Sequence, residues 1–422
     1  MNPARSNEPA DRNEDQESMS PEAQIKSGTS GETRVKGGGA RGVPSHADCV
    51  AMAEELAPRL APFVDEAERS RRVPKGAADA LIASGLMPLV RPARHGGYEH
   101  GWMAYADVLA PIARQSGSLA WVLGFLLHHQ WALGFFPQAT QDEVYSQAAD
   151  PCIASMFAPS GRATAEGSKL RLTGEWSFSS GIDNCDWVML AGFAEIAPGE
   201  PPINCWFLLK PGQFEVRDTW HAVGLSGTGS NNVVVRDALI DADYWVRADP
   251  FGGDDMSARS GNRGIRFVTP PVGQFQYGLV APMIGIAMAL HEEVLRFNAG
   301  RQGLLIPGKI ADDPFLQAGL GESEAELAAA YAAMSKLDDA IAAGEMRTPD
   351  GIARFRAGMG FVAKTITAAS ERLFYLSGGR GLDSRKPLSR HWRDLHAITN
   401  HAALKYEMMF QGLGQAALAR VS

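Results

Sequence analysis

The chain has 422 residues, of which 45% are hydrophobic and 21% charged, with a formal net charge of -8. These proportions are those of a globular protein with a large core, and the acidic balance argues against a nucleic-acid partner, because phosphate neutralisation needs a basic surface. Four scattered cysteines (Cys49, Cys152, Cys185, Cys205) with no CxxC pair exclude a disulfide framework and fit a reducing cytoplasm.

Residues 1–43 contain no aromatic residue and no Leu, and carry six basic and seven acidic side chains. Such a segment has no apolar run for a signal peptide and cannot bury enough surface to order itself, so a disordered tail is expected. Gly37-Gly38-Gly39 has no strand before it and reads as a linker rather than a phosphate loop. From Pro44 the spacing turns helical. Asp48 can cap a helix carrying Val50, Met52, Leu56, Leu60 and Phe63, and further helices are expected over Ala77–Ser84, Met103–Arg114 and Ser118–Phe136. Leu119 to Phe136 is the nearest approach to a membrane span, but His128, His129 and Gln130 in its middle favour a buried helix.

After residue 150 the period changes. Cys152–Ala158, Lys169–Phe178, Trp187–Phe193, Asn204–Leu209, Phe214–Arg217 and Asn232–Ile240 are short, β-rich and bounded by Gly, Pro and Asn. No helical stretch separates them, which predicts an antiparallel barrel or sandwich. A Rossmann unit is excluded by the lack of alternation and of a glycine-rich strand-to-helix turn. From about residue 273, Phe275–Phe297, Ser323–Ala343, Pro349–Leu376 and Ser389–Leu418 predict a four-helix bundle. The class is α+β, with a tail (1–43), an N-terminal helical domain (44–150), a middle β domain (151–272) and a C-terminal bundle (273–422).

This order resembles the acyl-CoA dehydrogenase fold, and short strings support the resemblance across residues 44–422. They are His95-Gly96-Gly97-Tyr98; Leu172-Thr173-Gly174-Glu175-Trp176 with Ser179-Ser180-Gly181; Val223-Gly224-Leu225 through Val233-Val234-Val235 and Asp237; Gly378-Gly379-Arg380-Gly381; and Arg393-Asp394. A dehydrogenase needs a carboxylate base, yet the place of the commonest one is taken by Ala402, next to His401. An FAD-dependent acyl-CoA dehydrogenase using Glu292 or Glu293 is therefore the alternative reading.

A closer resemblance is to the oxygenase component of two-component flavin monooxygenases of the 4-hydroxyphenylacetate hydroxylase type. It rests on Trp121 to His129, on Ser155-Met156-Phe157-Ala158-Pro159-Ser160-Gly161, on Ser179-Ser180-Gly181, and on Arg393 to His401. Phe178 stands where some members carry Trp, and Val272 where an Arg often lies near the substrate. The resemblance implies reduced flavin (FMNH2 or FADH2), O2, a C4a-hydroperoxyflavin and a small aromatic or heteroaromatic substrate, phenol- or indole-like. It also implies a homotetramer, and a separate NAD(P)H-dependent flavin reductase, for which this chain has no nucleotide motif of its own.

Under that resemblance His401 is the first choice for a base on the substrate, on an apolar helix, with His129 as a second catalytic histidine. Ser180 is expected to bond the flavin N5 region and Ser155 the flavin or substrate. Trp121, Phe157, Phe178 and Ser179 join Ser180 around the flavin, with Gly378, Gly379 and Arg301, the last matching an Arg that reaches flavin phosphate from a neighbouring subunit. His396 and His401 are five residues apart and share no helix face, and no metal motif occurs, so no metal is expected.

Overall fold

The computed structural model describes residues 42–197, 199–248, 257–303 and 308–421. Nearly all of the expected tail, with its Gly37–Gly39 linker, lies outside the described residues, as do parts of the loops following Ala248 and Gly303. From Val43 onward the chain forms one compact unit.

The N-terminal helices are α1 (His46–Leu60), α2 (Val64–Ser70), α3 (Lys75–Ile82), α4 (Trp102–Gln115), α5 (Gly117–Leu133) and α6 (Gln138–Gln147). The cap of α1 is Ser45, not Asp48. Ser45 Oγ accepts the Asp48 N–H, and the Asp48 carboxylate accepts the Ser45 N–H at 2.8 Å. This is a reciprocal capping box with the acid three residues inside.

The strands are β1 (Ile153–Glu166), β2 (Lys169–Ser179), β3 (Trp187–Glu195), β4 (Ile203–Leu209), β5 (Glu215–Arg217), β6 (Asn231–Ile240) and β7 (Trp245–Arg247). They form one seven-stranded sheet in the order β5-β6-β2-β1-β3-β4-β7. The expectation of an antiparallel sheet is corrected, because β1 and β3 pair in parallel, with Ile153 opposite Trp187 and Ser155 opposite Met189. A parallel pair needs a long return connection, usually a helix. Here β2 itself is that return: it pairs with β1 on one side, and the chain then crosses to the other.

Short helices α7 (Ser257–Ser260) and α8 (Ile265–Val268) lead into α9 (Pro271–Ala299), α10 (Pro314–Ala342), α11 (Pro349–Ser377), α12 (Pro387–Thr399) and α13 (Tyr406–Ala419). The single helix expected over Ser389–Leu418 is thus two, broken at residues 400–405. Among the described residues the helix long and apolar enough to cross a membrane is α9, not 119–136, and 78% of its apolar window is buried inside the protein. Helix α9 packs on α4 and α5 through an aromatic core in which Trp102 stacks on Tyr277 and meets Trp131 and Tyr105 edge-on. Truncating such a fully buried Trp costs about 3–5 kcal/mol.

Candidate active site

Helix α5 is apolar on every face, which is the signature of a helix buried all round. Ser116 caps it, its Oγ accepting the Leu119 N–H. All of Gly117–Leu133 is buried except Phe125. The one opening along α5 therefore lies beside Phe125, and Trp121 and His129 sit four residues to either side on that same face.

The adjacent histidines diverge. His128 is fully buried against Trp102, Trp131 and Phe275. His129 turns to the sheet, where its Nδ1 lies 2.5 Å from the Ile153 carbonyl and its Nε2 lies 2.7 Å from Ser155 Oγ. A carbonyl only accepts, so Nδ1 carries the proton and Nε2 accepts the Ser155 O–H. Burial lowers the His129 pKa to about 4, partly offset by the Ile153 bond, so the ring is neutral at pH 7. Phe157 lies edge-on to His129 and packs on Trp206 and Phe275.

A second line of polar groups begins at Trp121, whose Nε1–H donates to Ser180 Oγ at 3.0 Å. Ser180 is 2.7 Å from Ser230 Oγ, and Ser230 is 2.7 Å from Thr228 Oγ1, which donates to the Leu225 carbonyl at 2.8 Å. Both ends fix the direction: the indole can only donate and the carbonyl only accept. Protons therefore run Ser180 to Ser230 to Thr228 to Leu225. The Ser180 hydroxyl proton is engaged, leaving an oxygen lone pair free, not the free donor that a bond to flavin N5 from that O–H needs.

His401 is not on an apolar helix. It follows the end of α12 and caps the short 3-10 turn Ala402–Leu404, its Nδ1 accepting the Ala403 N–H at 3.1 Å. Asn400 and the break after it take the chain out of the helix, so helical periodicity misplaced it. The half-buried ring lies 6.3 Å from Trp121, centroid to centroid, and burial lowers its pKa to about 4. With Nδ1 occupied as acceptor, the neutral ring carries its proton on Nε2 and presents a donor.

The remaining residues are placed less centrally. Phe178 is 61% exposed, edge-on to Trp220, in the left-handed region at φ 72°, where the β2–β6 register breaks. Next to it Ser179 is fully buried and its Oγ has no partner. Arg301 stands at the far end of α9. One guanidinium nitrogen donates to Asn298 Oδ1 (2.9 Å) and to the Ser377 carbonyl (3.0 Å), and its buried Nε has no partner. Gly378 follows at φ 61°, ψ -170°, a conformation open essentially to glycine alone. An added Cβ at Gly378 or Gly379 would meet nothing within 4 Å. The Arg301 guanidinium (4.5 Å) and Lys386 Nζ (4.7 Å) both lie over the Phe297 ring, and burial beside Arg380 lowers the Arg301 pKa. Among the described residues no hydrogen bond or ring contact joins this cationic cluster to the Trp121 or His129 groups.

These donors fit a flavin. The half-buried rings of Phe125 and His401, with the buried Trp121 behind them, suit an isoalloxazine, the orphaned Ser179 hydroxyl suits a ring heteroatom, and the unpartnered Arg301 Nε beside an open glycine pair suits a phosphate. The dehydrogenase alternative lacks its base: Glu292 accepts from Arg114 and Arg296, and Glu293 pairs with Arg296. Sequence reasoning missed Phe125, Thr228, Ser230 and Lys386, and met Arg380 only as part of the Gly378–Gly381 string. Only the Gly227-Thr228-Gly229-Ser230 run carried a readable signal, as a hydroxyl-rich turn.

Residues 277–406 match the family model "Acyl-CoA dehydrogenase, C-terminal domain". Over 363 residues the chain is 32% identical to the flavin-dependent monooxygenase, oxygenase subunit HsaA, of Rhodococcus jostii (strain RHA1), covering 83% of this chain and 93% of that protein. It is 31% identical to a pigment production hydroxylase of Rhodococcus erythropolis, covering 80% and 88%. Among solved structures, 3-HSA hydroxylase from Rhodococcus sp. RHA1 matches with a TM-score of 0.81 at 27% identity, covering 89% of this chain and 98% of that one. XiaF from Streptomyces sp., in complex with FADH2 and glycerol, matches with a TM-score of 0.82 at 26% identity, covering 89% and 96%. The chain belongs to the oxygenase components of the flavin-dependent monooxygenases built on the acyl-CoA dehydrogenase fold.

Proposed function

We propose that this oxygenase hydroxylates a small phenol, and that the proton of the phenol leaves through Ser155 to His129. The carrying observation is the directed pair of bonds at His129, with Nδ1–H on the Ile153 carbonyl and Nε2 accepting from Ser155. When a phenolic O–H donates to Ser155 Oγ, the Ser155 proton passes to His129 Nε2, and the Ile153 carbonyl steadies the imidazolium that results. His129 is neutral with Nε2 as its acceptor, and the phenolate charge formed beside it favours the imidazolium that burial alone disfavours. This moves the base from His401 to His129. The His401 Nε2–H then donates to the phenolate oxygen, and charge-assisted bonds of that kind are the strong ones.

Reduced flavin, when bound, supplies the two electrons that divide O2 between the hydroxylated product and water. Trp121, Phe125 and Phe157 keep water from the ring face, and Ser180 offers its free lone pair there. FMN and FAD both satisfy the Arg301, Gly378 and Gly379 cluster. Its separation from the ring-binding residues supports delivery of Arg301 to the flavin of another subunit. The exposed apolar side chains of α13, Met408 (67%) and Leu418 (70%), support assembly into a homotetramer. A separate NAD(P)H-dependent reductase supplies the flavin. The relatives named resorcinol hydroxylase and p-hydroxyphenylacetate 3-hydroxylase suggest the first phenols to try.

The test mixes anaerobically reduced FMN or FAD with the protein and either phenol, then adds labelled O2. One labelled oxygen in the product supports the reading. Stoichiometric hydrogen peroxide with every phenol and no labelled product overturns it.

A further inference from the structure

Asp394 lies on α12 and is fully buried, and three elements meet at its carboxyl. Its Oδ1 accepts the Leu225 N–H at 2.6 Å, while its Oδ2 has no partner. A Cβ added at Gly117, the first residue of α5, would come within 2.5 Å of Oδ2, so the carboxyl sits against the positive end of that helix. The turn before Leu225 is held to the same stretch of α12. Arg393 Nε donates to the Val223 carbonyl at 2.9 Å, and a Cβ at Gly224 would stand 2.0 Å from the Arg393 carbonyl oxygen.

Leu225 itself is strained, at φ 52° and ψ 30°. A branched side chain in the left-handed region persists only where its surroundings over-determine it. Asp394 takes its N–H, and Trp220 Nε1 (2.9 Å) and Thr228 Oγ1 (2.8 Å) take its carbonyl. That carbonyl is the terminus of the Thr228, Ser230 and Ser180 row. Helix α5 carries Trp121 and His129, and the chain leaving α12 carries His401.

We propose that Asp394 is a positioning residue of the oxidation site: by holding Leu225 in its left-handed turn, it aims the hydroxyl row that orients Ser180 against Trp121. The inference rests on the reading that Ser180 and Trp121 border the flavin ring. Asp394 joins α5, α12 and the 223–230 turn at one carboxyl, so a shift there moves Ser180 relative to the two histidines.

The test uses the full-length protein in four variants. Asp394→Leu removes the acceptor and keeps the bulk. Asp394→Asn keeps an acceptor for Leu225. Thr228→Val cuts the row at the Leu225 carbonyl without changing shape. Ser180→Ala removes the end of the row. The first measurement is amide exchange of the flavin-free protein. Asp394→Leu is expected to speed exchange over residues 219–231 by roughly tenfold or more, as for a buried N–H left without its acceptor, with Asp394→Asn staying close to the parent protein. The second is the rate at which protein-bound reduced flavin returns to the oxidised form in oxygen without substrate. Asp394→Leu, Thr228→Val and Ser180→Ala are each expected to speed it about tenfold, with Asp394→Asn rescuing the parent rate.

Unchanged exchange in Asp394→Leu overturns the proposal. If that variant does not fold, an unchanged oxidation rate in Thr228→Val does so instead. Acceleration by Ser180→Ala alone also overturns it while leaving the site reading intact. No effect of Ser180→Ala removes that reading and the proposal with it.

Discussion

Ser155 Oγ and His129 Nε2 stand 2.7 Å apart, and the Ile153 carbonyl on the opposite ring nitrogen dictates that the serine is the donor. One strand carries both of these partners, since Ile153 and Ser155 are two residues apart on β1. The ring on α5 is thereby fixed in tautomer and orientation by the sheet it packs against. Ser155→Ala is expected to lower product formation by about 10²–10⁴-fold, the range for losing a general base, with reduced-flavin affinity unchanged. Product and hydrogen peroxide, measured together at equal flavin consumption, check this. Retained product yield would take Ser155 out of the proton path.

His401 presents a donor, and its Nδ1 is already used as a cap. Asn at position 401 can still accept the Ala403 N–H but cannot reach as far with a donor. His401→Asn should therefore lower kcat/KM for a phenol by about 10–100-fold, while stability stays within roughly 0.5 kcal/mol. Burial holds the His401 pKa at about 4, so the pH profile of the parent enzyme should have no limb near the usual histidine value that disappears in this variant. Such a limb would restore His401 as the base.

The order of helices, strands and helices was legible because period and punctuation are local properties, and the short strings that hold Trp121, His129, Ser155 and Ser180 are brought together in two hydrogen-bonded pairs. What was not legible depended on closure in space. The parallel pairing of β1 with β3 follows from where β2 lies, not from any residue in β3. The break after Thr399 that moves His401 off the helix has no Pro or Gly to mark it. The Ser230 and Thr228 row exists because a distant carboxylate, Asp394, holds Leu225 in place, and no spacing rule connects residues 169 positions apart.

Phe178 carries a large side chain at φ 72°, in the irregular stretch between Trp176 and Ser179 where β2 loses register with β6. The left-handed region costs a residue with a Cβ about 1–2 kcal/mol, and glycine is spared that cost. Phe193 on β3 is also exposed (43%) but is not among the residues at positive φ. Phe178→Gly should therefore destabilise the protein less than Phe193→Gly, by about 1–2 kcal/mol in urea unfolding. Equal losses would mean that the contact of Phe178 with Trp220 offsets the strain.

Asp394 also makes stability depend on pH in a stated direction. Burial, and then the Glu68 carboxylate, raise its pKa from 3.8 to about 7, against the lowering effects of the Leu225 N–H, Arg390 and Arg393. A carboxyl whose pKa is higher in the folded state binds its proton more tightly there. Its contribution is thus complete below pH 3.8 and is lost as pH rises through about 7. Asn at this position cannot ionise and has no such dependence. The stability of the parent protein relative to Asp394→Asn should accordingly fall between about pH 4 and about pH 7, with a slope approaching roughly 1.4 kcal/mol per pH unit between the unfolded and folded pKa values and levelling off above about 7. Urea unfolding of both proteins across that range measures the difference directly. Parallel stability curves would mean that the carboxyl stays ionised, and a carboxylate buried at the first turn of α5 would then owe its charge to the helix terminus rather than to a proton.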